Sequence, residues 1–312
     1  MIVASIPAAL APRRTTTARR LQLALLGALV LGLVVAGPAS ADFFTPQNGG
    51  SPNADRIDTL YKLILGVAVV VFIGVEGALF YSLYKFKARK GAIPAQIRGN
   101  TRLEIGWTVG AAVILVVLAT FTFLALPGIR NPDNSDADGL KLADGVLTAQ
   151  VDARKPPDGK SLNVCVNGQQ YIWRFTYDAN CEDAKLNSPF AYEEMVVPVG
   201  TTVTLDIKGQ DVAHSWWIPE LGGKFDAIPG YTNHTWFKVP SRLAGRTFRG
   251  QCAELCGRNH ANMTAQVKAV TPAEFETFIA NRKQATKAAD DAAAIQRKQF
   301  EREIGDAPAP TP

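Results

Sequence analysis

The chain has 312 residues, 47% of them hydrophobic and 20% charged, with a formal net charge of +5 and three histidines. That length exceeds one small domain and leaves room for several folded parts. The positive balance does not argue for nucleic acid. Arg13, Arg14, Arg19 and Arg20 lie in an N-terminal leader, Lys85, Lys87, Arg89, Lys90, Arg98 and Arg102 crowd one short segment, and acidic groups outnumber basic ones from residue 103 onward.

In chain order, residues 1–41 read as a signal peptide. A basic stretch precedes the apolar run from Leu21 to Ala36, and Ala39-Ser40-Ala41 forms a small-residue cleavage site. Residues 42–127 form an N-terminal segment and a helical hairpin, with apolar runs at about 60–84 and 105–126. Each run meets the roughly 20 residues needed to cross a bilayer. The basic, acid-free connection between them predicts a cytoplasmic loop, with both outer ends of the hairpin facing outward. Residues 128–144 read as a linker rich in Gly, Asp and Asn.

Strand signals then recur over 145–271. They run from Val146, Leu162, Tyr171, Met195, Thr202, Asn233 and Met263, with Gly, Pro and Asn/Asp between them. Short strands at this spacing predict an all-β sandwich or barrel. Residues 272–312 form a helical tail with a frayed, Pro-rich end, read as a solvated helix rather than a docking element. Cys165 and Cys181 suit a disulfide in an oxidising compartment, with two separate thiols as the alternative.

The most informative run is Cys252-Ala-Glu254-Leu-Cys256-Gly-Arg-Asn-His260-Ala-Asn-Met263. Soft thiolate and thioether donors select copper, zinc or iron–sulfur, and a His/Cys set with a Met donor points to copper electron transfer. One thiol is surplus to a mononuclear copper site, and two thiolates can bridge a metal pair if another His arrives. His214, at a strand-to-turn boundary, is the candidate. His234 lacks a soft neighbour and reads as a strand residue. A Cys252–Cys256 disulfide and a two-Cys, two-His zinc site remain as alternatives, although zinc has little use for Met263.

The segments Asp211-Val-Ala-His214-Ser-Trp and Lys224-Phe-Asp226-Ala-Ile-Pro-Gly, followed by the Cys252 to Met263 run, resemble cytochrome c oxidase subunit II in order over about residues 55–270. The resemblance implies a cupredoxin-like sandwich on a two-helix transmembrane hairpin, in a bacterial cell membrane, with the copper domain on the outer face. It implies a dicopper centre bridged by Cys252 and Cys256, with His214 and His260 each holding one copper. Met263 and the backbone carbonyl of Glu254 are the weak ligands. The Glu254 carboxylate is similar to a family ligand for magnesium shared with subunit I, and Asp226 shapes the partner interface.

The family further implies a c-type cytochrome donor, soluble or part of a bcc-type complex. Haem in subunit I reduces oxygen there with proton pumping. This chain has no C-x-x-C-H motif and carries no haem of its own. Glu104 matches a carboxylate at the mouth of a proton pathway, and an interfacial acid at a helix end is the alternative. The family's aromatic string Gln-Trp-Tyr-Trp is replaced by Gln170-Tyr171-Ile172-Trp173, so Tyr171 stands at the electron-accepting position. Trp173 is either part of that path or a core residue. Competing functions are a quinol oxidase subunit, a membrane-anchored copper-delivery protein and a metal-free structural domain.

Overall fold

The structure, a computed structural model, describes residues 45–87, 91, 93, 95–141, 155–181 and 188–305. The expected leader over 1–41, the strand at Val146 and the Pro-rich end lie outside the described residues.

Helix α1 (Pro52–Lys85) starts with a proline in its first turn, where a missing N–H costs nothing, and carries Asp55 in that turn. Helix α2 (Thr101–Arg130) is capped by Asn100, whose side chain accepts from Leu103 N at 3.2 Å. Glu104 Oε1 reciprocates by accepting from Asn100 N at 3.2 Å. At about 1.5 Å per residue both helices outreach the ~30 Å hydrocarbon layer. The two pack together, and both are long and apolar enough to cross a membrane. Their other faces expose Phe72, Phe80, Leu115 and Phe123, which need lipid or partner helices to cover them.

The helices run past their apolar stretches, and their polar ends grip the β domain. Asn53 Nδ2 donates to Trp236 O at 2.7 Å, and Trp236 Nε1 donates to Ile129 O at 2.9 Å. Arg56 pairs with Asp133 at 2.8 Å.

The β domain has ten strands in the described residues. One sheet has the order β3-β2-β1-β5-β8: β3 Phe190–Tyr192, β2 Ile172–Tyr177, β1 Leu162–Gln169, β5 Thr202–Gly209 and β8 Asn233–Lys238. A second has the order β4-β10-β9: Glu194–Pro198, Thr264–Val270 and Thr247–Gln251. Strand β1 runs parallel to β5 and antiparallel to β2. Strands β6 (His214–Trp216) and β7 (Phe225–Ala227) form a separate antiparallel ribbon.

Period-2 alternation sends Leu162, Val164 and Val166 of β1 and Val203, Leu205 and Ile207 of β5 into one core with Met195, Val197, Phe248 and Val267 of the other sheet. The opposite face of β1 holds Cys165, joined by a disulfide to Cys181.

Helix α3 (Pro272–Gly305) differs from the solvated helix expected. Phe275 is buried, and Phe278 and Ile279 pack against the core beside Tyr177. Thr271 and Glu274 form its capping box. Three apolar residues at helical spacing, i, i+3 and i+4, give this first stretch a face that the rest of the helix lacks.

Candidate metal centre

One long loop and one ribbon converge at an end of the sandwich. Strand β6 carries His214, the β9–β10 connection carries Cys252, Glu254 and Cys256, a 3-10 turn at His260–Asn262 follows, and Met263 leads into β10. Backbone bonds lock these parts: Gln251 N donates to Trp217 O at 3.1 Å, Ala253 N to Ser215 O at 2.9 Å and Cys252 N to Met263 O at 2.8 Å.

The sulfurs of Cys252 and Cys256 lie 3.8 Å apart, not joined. His214 Nδ1 is 3.9 Å from Cys252 Sγ, and His260 Nδ1 is 3.6 Å from Cys256 Sγ. Met263 Sδ is 3.8 Å from Cys256 Sγ, and the Glu254 carbonyl is 3.3 Å from Cys252 Sγ. Ligand atoms of His214, Cys252 and Cys256 all fall within 4.8 Å of one another. The pairs are symmetric in kind: each thiol has an imidazole on one side and a weaker donor on the other. His214, both cysteines and Met263 are buried, while His260 is half-buried at the rim. Burial, and then the neighbouring Cys252 thiol, push the Cys256 thiol up to about 11. Soft sulfur with imidazole in a dry pocket fits copper.

Asp211 and Gln170 surround this set, and the sequence reading gave neither a role. His214 Nε2 lies 2.8 Å from Asp211 Oδ1. Desolvation opposes ionisation of Asp211, but bonds from His214, Gln170 N and Val212 N outweigh it and hold the carboxyl below its ordinary range. An ionised carboxylate only accepts, so Nε2 is the donor in this pair and Nδ1 is the nitrogen that faces the thiols. The signal available in sequence was the carboxylate three positions before a ligand-type histidine, since metal-binding histidines commonly donate their second N–H to such a group.

Gln170 Nε2 donates to Cys256 O at 2.6 Å. Tyr171 is half-buried beside the Cys256 loop. Gly257 adopts φ +132°, and a Cβ there would fall 2.5 Å from Tyr171 Oη. Trp173 is fully enclosed, edge-on to His214 with ring centroids 5.9 Å apart. Gly168 permits that approach, since a Cβ would sit 3.0 Å from Trp173 and 3.1 Å from the His214 ring.

Glu254 turns its carbonyl toward Cys252 and is otherwise exposed. The remaining candidates lie outside the cluster. Asp226 is exposed on β7, opposite Ser215. Glu104 is at the far end of α2, and His234 is bonded to Asp206 on the outer face of the large sheet.

Fold and donor set define a cupredoxin-like domain, with soft donors suited to copper, on a helical hairpin long and apolar enough to cross a membrane. Residues 180–270 match the family described as cytochrome c oxidase subunit II, periplasmic domain, and residues 39–125 its transmembrane domain. Cytochrome c oxidase subunit 2 of Alkalihalophilus pseudofirmus is 32% identical over 80% of this chain, which spans 65% of that relative's length. The subunit of Thermostichus vulcanus is 31% identical over 73% of this chain and 75% of its own. The solved periplasmic domain of subunit II of the Bradyrhizobium japonicum oxidase is 31% identical over 41% of this chain and 97% of that one, with a TM-score of 0.36. The chain belongs to the cytochrome c oxidase subunit II family: it is a membrane-located part of a haem-copper oxidase, an oxidoreductase complex, and the family binds copper.

Proposed function

We propose that this chain is the electron-accepting subunit of the oxidase, holding two copper ions between Cys252 and Cys256. Both thiolates would hold the pair. His214 and His260 each serve one ion, with Met263 and the Glu254 carbonyl as weak ligands. When bound, the pair supplies a reversible one-electron couple. The observation that carries the reading is the convergence of six donors, two of them thiols 3.8 Å apart and unjoined. A zinc tetrad would leave Met263 idle. A quinol oxidase subunit has no use for the donor set.

The residues around the site do the rest. Tyr171 offers a partly exposed ring to a c-type cytochrome, soluble or part of a bcc-type complex, and enclosed Trp173 lies beside His214. Burial of both thiols keeps water away, which limits reorganisation when the charge changes. The exposed carboxylate of Glu254 is free to join a magnesium site completed by subunit I, where haem receives the electrons, oxygen is reduced and protons are pumped. Glu104 caps α2, and the same position suits the mouth of a proton pathway. The excess of Lys and Arg between α1 and α2 supports a cytoplasmic connection and a sandwich on the outer side.

The test is Cys252→Ser in the complete oxidase. Loss of one bridge should leave about one copper or none at the site, abolish the mixed-valence spectrum and stop cytochrome oxidation. Two coppers per chain with normal oxidation in that variant would end the reading.

A further inference from the structure

Resting on the copper reading above, we propose that Asp211 is a positioning residue of the centre, holding the His214 imidazole toward the thiols and tying it to the β1–β2 turn that carries Tyr171. His214 is fully enclosed, so its Nε2–H has no water to turn to, and Asp211 Oδ1 receives it at 2.8 Å. The same oxygen accepts from Val212 N at 2.7 Å, which fixes the carboxylate against its own backbone. The other oxygen accepts from Gln170 N at 2.7 Å. Gln170 in turn reaches the opposite side of the site, donating Nε2 to Cys256 O. One short chain of bonds therefore runs from the His214 ring through Asp211 and Gln170 to the Cys256 loop. Both imidazole orientation and loop position depend on it, and Tyr171 is the next residue along.

Removing the carboxylate leaves a buried N–H without an acceptor, so the ring must turn or change tautomer. In Asp211→Ala, copper affinity of the full chain should fall by about 10- to 100-fold, the usual cost of losing such a partner. Pulsed EPR of the oxidised centre reads the imidazole nitrogen remote from copper directly. Its quadrupole signal should change in Asp211→Ala and return in Asp211→Asn, whose Oδ1 still accepts from His214 Nε2 although its amide nitrogen cannot accept from Gln170 N. A merely structural role would lower yield while leaving the signal of the loaded fraction unchanged. An unaltered signal and affinity in Asp211→Ala, or no recovery of the signal in Asp211→Asn, overturns the proposal. Should Asp211→Ala fail to fold, Asp211→Asn decides alone: it must load copper with the wild-type signal. A wild-type chain that binds no copper would sink the underlying reading instead.

Discussion

Tyr171 and Gly257 show how tightly the β1–β2 turn and the Cys loop are fitted. Tyr171 Oη occupies the space a side chain at Gly257 would need, and the backbone there has φ +132°, which L side chains rarely adopt. Gly257→Ala should therefore push Tyr171 outward and loosen the bond between Gln170 and Cys256. We expect a stability loss of about 1–3 kcal/mol, typical of overpacking, together with weaker copper retention. Thermal unfolding and metal analysis check this, and an unchanged midpoint with full copper would show that the loop has room to spare. The donors could be read in the sequence because soft ligands are rare and fell within twelve positions of one another, apart from His214. Gln170 could not, since an amide on an exposed turn shows nothing until its partner is known, and Asp211 offered only its spacing from His214. Trp173 was ambiguous for a similar reason: one enclosed ring serves packing and the neighbourhood of His214 alike.

Elements divide the same way. Strands β1, β5 and β10 were legible because their Val, Leu and Ile residues alternate within short runs bounded by turn residues. The β6–β7 ribbon was not, since three-residue strands carry too little period to detect. The seat of α3 was missed because its apolar residues occupy a single stretch, Phe275 to Ile279, of an otherwise polar helix. That seat is pH-sensitive at its cap. Hydrogen bonds from the Thr271 backbone and side chain hold the Glu274 carboxyl below its ordinary value of 4.5. A depressed carboxylate contributes stability above the unfolded value and loses it as pH falls through the folded one. The first turn of α3 should therefore fray below about pH 4.5, and Glu274→Gln should remove most of that dependence. Hydrogen exchange of the Thr277 to Ala280 amides between about pH 3 and 6, across the window in which carboxylates titrate, reads it. Equal fraying in both proteins would assign the acid response elsewhere.

At the scale of the whole molecule, the sequence separated a membrane hairpin from a β domain, and the structure shows where they grip each other. The grip is polar at its edges and aromatic at its centre. Trp236 is enclosed, its indole N–H and its carbonyl are both satisfied by the helix ends, and Arg56 lies over its ring. None of this follows from hydropathy, which sees only the apolar parts of α1 and α2. Asn53 is the hinge pin of this contact: it donates to Trp236 O and accepts from Ser51 Oγ and Ala54 N. Ser51 Oγ also accepts from Lys238 N at 3.1 Å, so the start of α1 meets β8 twice. Asn53→Ala removes these bonds at about 1 kcal/mol each. The loss is local, because β4 and β10 lie in the other sheet. Amide exchange should accelerate along β8 and Trp236 emission should shift to the red, while β10 amides and copper content stay as they were. Acceleration in β8 and β10 alike would mean the hairpin stabilises the sandwich as a unit, and no change in either would mean that Arg56 and Trp236 hold the contact without Asn53.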